Sequence, residues 1–513
     1  MSRTLTAATC ARIHFAAVRI CRGLLYTGLV LLAPLTQAAD AVDRNWSAAI
    51  REYAASSLDG ADALALAAIP LNGPGIEQYI NADQPMSPGS IMKLVTTYAA
   101  LEILGPAHHW QTRFYTDGRL TGDTLEGNLY VRFGGDPKLT QEQLWSALGE
   151  LRGMGVRTIR GNLILDGGYF RINAGQPAFK DNGDNPYAPF LVEPSAYLTN
   201  LNLIHFQVRS DQRGTQAWST PALPGVVIDN RVSTAAPTVC PARTQFEWEP
   251  RFHDDGGVTM KVSGELPEGC RTTAYFSLLP HARYSAALIR SLLHDIGITL
   301  AGHDRTGTTP EDARLLISLS SPDLVTMVRD INKWSSNVMA RQLLLTIGAE
   351  NRKPGDDDDR LAGIRTIHEW LHARGINTSG LVIDNGAGLT RHGRITARQG
   401  AQILRLAWNS PYGADLMASL PLIAMDGTMA RRLRNTGLDG LGRIKTGYLE
   451  HVRSIAGFTR DKTATTWAVV SIVNHAPAWN GAAVLDRVLY SLYYRPPVGR
   501  SLSQAEPRGQ TVR

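Results

Sequence analysis

Ser90-Ile91-Met92-Lys93 is the stretch on which the reading of this chain turns. Pro88-Gly89 breaks the backbone just before it. Behind it Ile91, Leu94, Val95, Tyr98 and Leu101 recur at helical spacing until Gly105-Pro106 stops the run. The pattern predicts a buried helix opened by Ser90, with Lys93 one turn on. Positions i and i+3 share a helix face, so the amine comes beside the hydroxyl. Of the eight lysines in the chain, Lys93 alone has a serine three residues before it. Taken singly the match is weak. Ser-x-x-Lys is expected by chance about twice in a chain of this length at average composition. The plain alternative is a serine at a helix N-terminus.

Two further fragments follow in order, Ser335-Ser336-Asn337 and Lys445-Thr446-Gly447. Either alone could be a helix cap or a turn, but all three in sequence make a specific signature. A serine hydroxyl is a poor nucleophile at pH 7 and needs an adjacent base. Lysine serves as one only when its amine is neutral, which burial or a nearby cation enforces. Lys445, facing Lys93 across a cleft, would supply that cation. Ser335 is placed to relay a proton between Lys93 and a leaving amine, and Asn337 to offer its amide to a substrate carbonyl or to Lys93. Lys445 and Thr446 end a predicted strand, where Gly447 leaves room for a substrate along the edge. Together they suit a free carboxylate. The backbone N–H groups of Ser90 and Tyr448 are the candidate oxyanion donors.

The remaining composition excludes several classes. With 513 residues, 43% hydrophobic and 19% charged, the chain is expected to form two to four soluble domains. Its formal charge of +6 owes four arginines (Arg3, Arg12, Arg19 and Arg22) to an acid-free N-terminus. No basic block or aromatic-basic platform suggests nucleic acid. Residues 1–38 read as a secretory signal: arginines, then the apolar run Gly23–Ala33, then Thr36-Gln37-Ala38-Ala39 as the cleavage region. An uncleaved anchor is the alternative, and peripheral membrane association stays open. Cys10 and Cys21 fall in that segment; Cys240 and Cys270 are left, and an exported compartment favours a disulfide between them over two buried thiols. No His-Glu-x-x-His, Cys-x-x-Cys or phosphate loop appears, so neither metal nor cofactor is expected.

Between about 111 and 305 the texture turns to short apolar or alternating runs divided by Gly, Asp and Asn. Examples are 127–133, 161–166, 203–208 and 258–262. They read as strands of an inserted β-rich region, expected to hold two domains with one nested at roughly 136–211. Likeness between the first two runs suggests two related hairpins. Helical patterns follow through Met327–Leu344, Ile364–Leu371 and Ala397–Trp408. Strands are expected at Arg443–Thr446 and Thr465–Val473, and a last helix at Ala482–Tyr494. Asp356–Asp359 reads as a solvated loop, and 496–513 as a disordered tail.

These fragments are similar to those of the penicillin-binding D-Ala-D-Ala carboxypeptidases of the DacB type, peptidase family S13. The resemblance extends to Gly134-Gly135-Asp136-Pro137-x-Leu139, to Asp384–Arg391 (DNGAGLTR) and to Asp426-Gly427-Thr428-Met429. It also rests on the 241 residues (94–334) between Lys93 and Ser335, a gap far shorter in serine β-lactamases. It implies an α+β fold: a penicillin-recognising transpeptidase/β-lactamase-like domain, 40–110 and 306–495, with an antiparallel sheet between helices and β-rich inserted domains interrupting it. It further implies a periplasmic enzyme without cofactor. Such an enzyme removes terminal D-alanine from peptidoglycan stem peptides or cleaves D-alanyl-meso-diaminopimelyl cross-links, and β-lactams inhibit it covalently. Ser90 would be the nucleophile, Lys93 its base and Ser335 a proton relay; Asn337, Lys445, Thr446 and Gly447 would bind substrate. Three positions depart from the family pattern: Tyr448 where a small hydroxyl residue is usual, Ser336 where Asp is common, and apolar Ile91-Met92. A serine β-lactamase and a non-catalytic cell-wall binding protein are the competing readings. Glu193, in Glu193-Pro194, resembles a β-lactamase deacylating glutamate, but Tyr197 stands where that motif needs Asn.

Overall fold

The computed structural model describes residues 46–58, 60–173, 185–240, 246–476 and 479–495. The expected signal segment 1–38 and the tail 496–513 lie outside the described residues. The centre is a five-stranded antiparallel sheet with strand order Gly442–Leu449, Val452–Arg460, Thr466–Asn474, Leu64–Pro70, Gln78–Ile80. Side chains alternate across a strand, so a sheet buried on both faces must be apolar at every position. Leu64–Pro70 (LALAAIP) is apolar throughout. Leu64, Leu66 and Ala68 enter one core, shared with Ile50, Ala54 and the helix Trp479–Tyr493. Ala65, Ala67 and Ile69 enter a second, shared with the helices Met92–Ile103, Leu324–Trp334, Asn337–Glu350 and Ala397–Trp408. Helices therefore cover both faces, and the functional fragments fall at the edge where Gly442–Leu449 meets the start of Met92–Ile103.

The insert leaves and returns through one strand pair. Gln111–Thr116 runs antiparallel to Arg314–Ser320, with Gln111 opposite Ser320, and Ser321 N–H donates to Trp110 O at the root. The boundary expected at 305 therefore moves outward: strand Arg314–Ser320 belongs to the insert sheet, whose order is 304–306, 163–166, 129–132, 111–116, 314–320. The two similar runs are not related hairpins. Leu129–Arg132 and Leu163–Asp166 are parallel neighbours, joined through the helix Gln141–Gly153. Their likeness has a local cause. Asn128 Oδ1 accepts from Asn162 N–H, and Asn162 Oδ1 accepts from His303 N–H, so Gly-Asn recurs where each strand joins the next.

The nested unit also shifts, from the expected 136–211 to Ile204–Phe276. It holds two three-stranded sheets, ordered 214–220, 204–211, 271–276 and 226–235, 258–267, 247–252. A disulfide joins Cys240 to Cys270 within it. Strand pairing is a long-range property, and the texture change that marked the insert carries no information about partners.

The acidic run is not a solvated loop. Asp358 and Asp359 are buried, and only Asp357 of the four is exposed. Asp358 caps the helix Asp359–Ala373 by accepting from Arg360 and Leu361 N–H. Asp359 takes a two-pronged bond from Arg352 and another from Arg171 N–H of the insert. Asp356 pairs with Arg365. The charges are spent on a cap and on a seam between insert and sheet domain.

Candidate active site

Ser90 sits in a single 3-10 turn, Gly89–Ile91, that leads into the helix Met92–Ile103. Gly89 has φ +54°, a conformation that favours glycine. Ile91 and Met92, the apolar departures, are buried. Lys93 is fully buried, and its Nζ lies 2.9 Å from Ser90 Oγ, 2.7 Å from Asn337 Oδ1 and 2.7 Å from Ala387 O. The expected i, i+3 pairing is present as a hydrogen bond.

Ser335 terminates the helix Leu324–Trp334 in the left-handed region, φ 58°. Ser336 then caps the helix Asn337–Glu350, accepting from Met339 N–H. That explains the Ser336 departure, since serine and aspartate are comparable caps. The two-residue break points Ser335 and Asn337 in different directions. Asn337 Oδ1 goes to Lys93, and its Nδ2 donates to Phe190 O, a carbonyl of the insert. Ser335 Oγ accepts from Lys445 Nζ at 2.8 Å.

Lys445 lies on the edge strand Gly442–Leu449, fully buried, and also donates to Thr446 O at 2.9 Å. Burial pushes the Lys93 amine well below the ordinary lysine range, and the neighbouring Lys445 cation lowers it further. Burial also brings Lys445 down, to about 7. Gly447 is packed against the serine turn. A Cβ there would fall 2.1 Å from Ser454 Oγ, 2.7 Å from Pro88 O and 3.0 Å from Ser90 N. Gly447→Ala must therefore push the Ser90 turn away from the strand. A misplacement of about 1 Å in a reacting group costs about a hundredfold in rate, which is the fall in kcat expected of Gly447→Ala with Ser90 as the nucleophile.

Three contributors had no assigned role in the sequence. Ala387 supplies a backbone carbonyl to Lys93 from the Asp384–Arg391 segment. Gly388 (φ +74°) makes this approach possible, since a Cβ there would sit 1.9 Å from Gly89 O. Thr428 Oγ1 accepts from Thr446 Oγ1 at 2.8 Å. Lys333, buried two residues before Ser335, donates to Leu420 O at 2.7 Å and to Asp426 Oδ2 at 2.6 Å, which holds the turn that carries Thr428. The Asp426-Gly427-Thr428 text was visible, but a contact made through a turn leaves no periodic signal.

Residues 62–489 match the D-Ala-D-Ala carboxypeptidase 3 (S13) family. The chain belongs to that family. As an S13 D-Ala-D-Ala carboxypeptidase it is a serine-type hydrolase. It is 30% identical over 397 residues to a D-alanyl-D-alanine carboxypeptidase of Actinomadura sp. (strain R39), covering 73% of this chain and 71% of that one. It is 25% identical over 410 residues to the D-alanyl-D-alanine carboxypeptidase DacB of Haemophilus influenzae, covering 77% and 81%. Penicillin-binding protein 4 of Haemophilus influenzae has the same fold: TM-score 0.70 at 22% identity, over 86% of this chain and 99% of that one. That protein has also been solved with a β-lactam.

Two residues of this S13 chain remain to be placed. Tyr448 is exposed, its ring under the Arg453 guanidinium at 3.7 Å, so the side chain turns along the strand surface. Its backbone nitrogen lies 3.3 Å from where a Gly89 Cβ would be, beside the serine turn. Glu193 is ion-paired with Arg341 on the helix Asn337–Glu350. Among the described residues no group of three or more His, Cys, Asp or Glu side chains could hold a metal ion. No helix among them is long and apolar enough to cross a membrane.

Proposed function

We propose that this S13 peptidase removes the terminal D-alanine of peptidoglycan stem peptides through an ester on Ser90. The supporting observation is the set of three neighbours around Lys93. A neutral amine has two N–H donors and one lone pair. With the amine neutral, its two donors go to Asn337 Oδ1 and Ala387 O, which leaves the lone pair to accept from the Ser90 hydroxyl 2.9 Å away. Such an amine is poised to accept the Ser90 proton as Oγ bonds to the carbonyl carbon of the penultimate D-alanine. The resulting oxyanion is held by Ser90 and Tyr448 N–H. As the C–N bond breaks, the proton passes from Lys93 through the Ser335 hydroxyl to the departing amine. Water, deprotonated by Lys93, then cleaves the ester and restores Ser90.

The Lys445 ammonium and the Thr446 hydroxyl hold the substrate carboxylate: Thr446 turns its one proton from Thr428 to the carboxylate, and the Thr428 hydroxyl donates to Thr446 Oγ1 in exchange. Terminal D-alanine and the D-centre of meso-diaminopimelate both carry a carboxylate one carbon from the scissile nitrogen, so one clamp serves carboxypeptidase and endopeptidase action alike. Penicillins present a carboxylate beside their ring nitrogen and acylate the same Ser90 oxygen. The proposed location is the periplasm, reached through residues 1–38. Mass spectrometry of wall fragments after incubation tests the reading: loss of one alanine marks the first activity, and cleavage of cross-linked dimers the second. Neither product appearing would overturn it. Rapid turnover of penicillin in place of a lasting adduct would favour a β-lactamase.

Two further outcomes follow from the electrostatics. Lys93 must be neutral and Lys445 charged. Raising pH through about 7 discharges Lys445 in the free enzyme, so kcat/KM falls on the alkaline side. A bound carboxylate raises the Lys445 pKa again, so the loss is carried by KM while kcat holds. pH profiles of the two constants check this, and a kcat/KM that climbs from pH 7 to 9 sinks it. Thr446→Val removes one hydrogen bond to the charged carboxylate, which is expected to raise KM roughly tenfold or more with little change in labelling by excess penicillin.

A further inference from the structure

We infer that the outward face of the sheet formed by Ile204–Asp211, Gly214–Thr220 and Arg271–Phe276 binds the glycan strands of peptidoglycan, away from the catalytic cleft. The inference rests on the reading that peptidoglycan is the substrate. One face of this sheet is core: Phe206 and Val208 are fully buried. The other face follows from the register. Residue 218 stands opposite 207 and 207 opposite 273, while 205 stands opposite 275 and 209 opposite 216 and 271. That face carries Trp218, Tyr275, His205, Gln207, Arg209 and Arg271. Trp218 is 37% and Tyr275 49% exposed. The His205 ring lies flat on Tyr275, with centroids 4.1 Å apart and planes 4° apart. The Arg271 guanidinium lies 5.7 Å from the Trp218 ring centroid.

A row of exposed rings, Tyr275 backed on one face by His205 and Trp218 approached by Arg271, suits a saccharide chain on the ring faces left free. The C–H faces of pyranose rings stack on aromatic faces, and hydroxyl and acetamido groups bond to planar donors between them. Trp218 and Tyr275 stand on the two outer strands, about 10 Å apart across the sheet; Gln207 between them is buried, its amide donating to Thr220, so the exposed donors are Arg209 and Arg271. Charge points the same way. Arg209 and Arg271 stand directly opposite each other, an arrangement that costs stability unless something neutralises it. Asp211 lies 3.8 Å from Arg209, but Arg271 has no ion pair among the described residues. A glycan bearing acidic stem peptides brings the missing negative charge.

The test uses the full-length protein, with Ser90→Ala to prevent digestion, co-sedimented with purified sacculi. Titration with N-acetylglucosamine tetramer is followed by tryptophan fluorescence. Trp218→Ala with Tyr275→Ala is expected to weaken sacculus retention about tenfold or more and to abolish the fluorescence response. In the active background the same pair leaves D-alanine release from a soluble pentapeptide and penicillin labelling unchanged. Trp218→Phe, which keeps a stacking face, restores most of the retention. Unchanged retention in the double variant overturns the inference. So does competition by free stem peptide but not by the tetramer, and so does a change in oligomeric state as the only effect of Trp218→Ala. Failure of the wild type to release D-alanine would instead remove the proposed function and leave sacculus binding standing, so the two failures are distinguishable.

Discussion

Ser90→Ala is expected to remove D-alanine release and covalent labelling by fluorescent penicillin together. Both depend on one oxygen forming a bond, and the change deletes only that oxygen. The loss expected for a removed nucleophile is about 10⁴-fold or more in kcat, with substrate binding largely kept. The variant should fold normally, because Ser90 contributes one hydrogen bond and the serine turn is fixed by Gly89, Gly388 and Gly447 around it. Retained labelling would take Ser90 out of the nucleophile's role. Retained wall phenotype in cells carrying the variant would favour a binding protein over an enzyme.

Lys93→Met is expected to cost at least about 10³-fold in kcat, since general-base assistance is worth roughly 10²–10⁴ and the proton return to the leaving amine goes with it. It also has a signature that a merely structural lysine on the surface would not give. The folded amine has a pKa well below the ordinary value, whereas the unfolded one titrates near that value. Between the two pKa values the unfolded state binds the extra proton, so stability rises with pH there; below the folded pKa the gain vanishes. As pH rises toward the ordinary lysine range the wild type should therefore gain stability relative to Lys93→Met. Urea midpoints of both proteins at pH 8 and pH 10 read this out. Parallel pH dependences would show that Lys93 is charged in the fold, and would end its assignment as base.

The legible parts of this chain are those whose signal is short. Ser90 and Lys93 are bonded because three residues of helix separate them, a distance that periodicity reports directly. Ser335-Ser336-Asn337 and Lys445-Thr446-Gly447 are legible as an ordered signature, but not in their local roles: the helical pattern expected through Met327–Leu344 breaks at Ser335, and Gly447, expected to leave room for substrate, is packed against the serine turn. Roles carried by the backbone were invisible: Ala387 contributes only its carbonyl, which any residue type has. Contacts set by tertiary packing were equally hidden. Lys333 and Asp426 meet across two elements, and Asp358 and Asp359 look like solvated charge until Arg352 and Arg171 close on them. The nested domain was misplaced for the same reason. The runs at 129 and 163 are alike because they lie side by side, a relation that a list of residues renders as repetition.

The central sheet has a consequence for how the molecule is made. Its strand Leu64–Pro70 is bordered by Gln78–Ile80 on one side and on the other by Thr466–Asn474, and Asn474 grips the Ser87 backbone 387 positions away. A nascent chain emerging N-terminus first can complete the insert sheets while this partner is still unsynthesised. Its nucleophile helix must then wait beside a half-built sheet until the last strands arrive. The cleft is thus completed last by the order of manufacture, and a stop between residues 320 and 466 leaves the insert strands whole beside a cleft that lacks its partner strand.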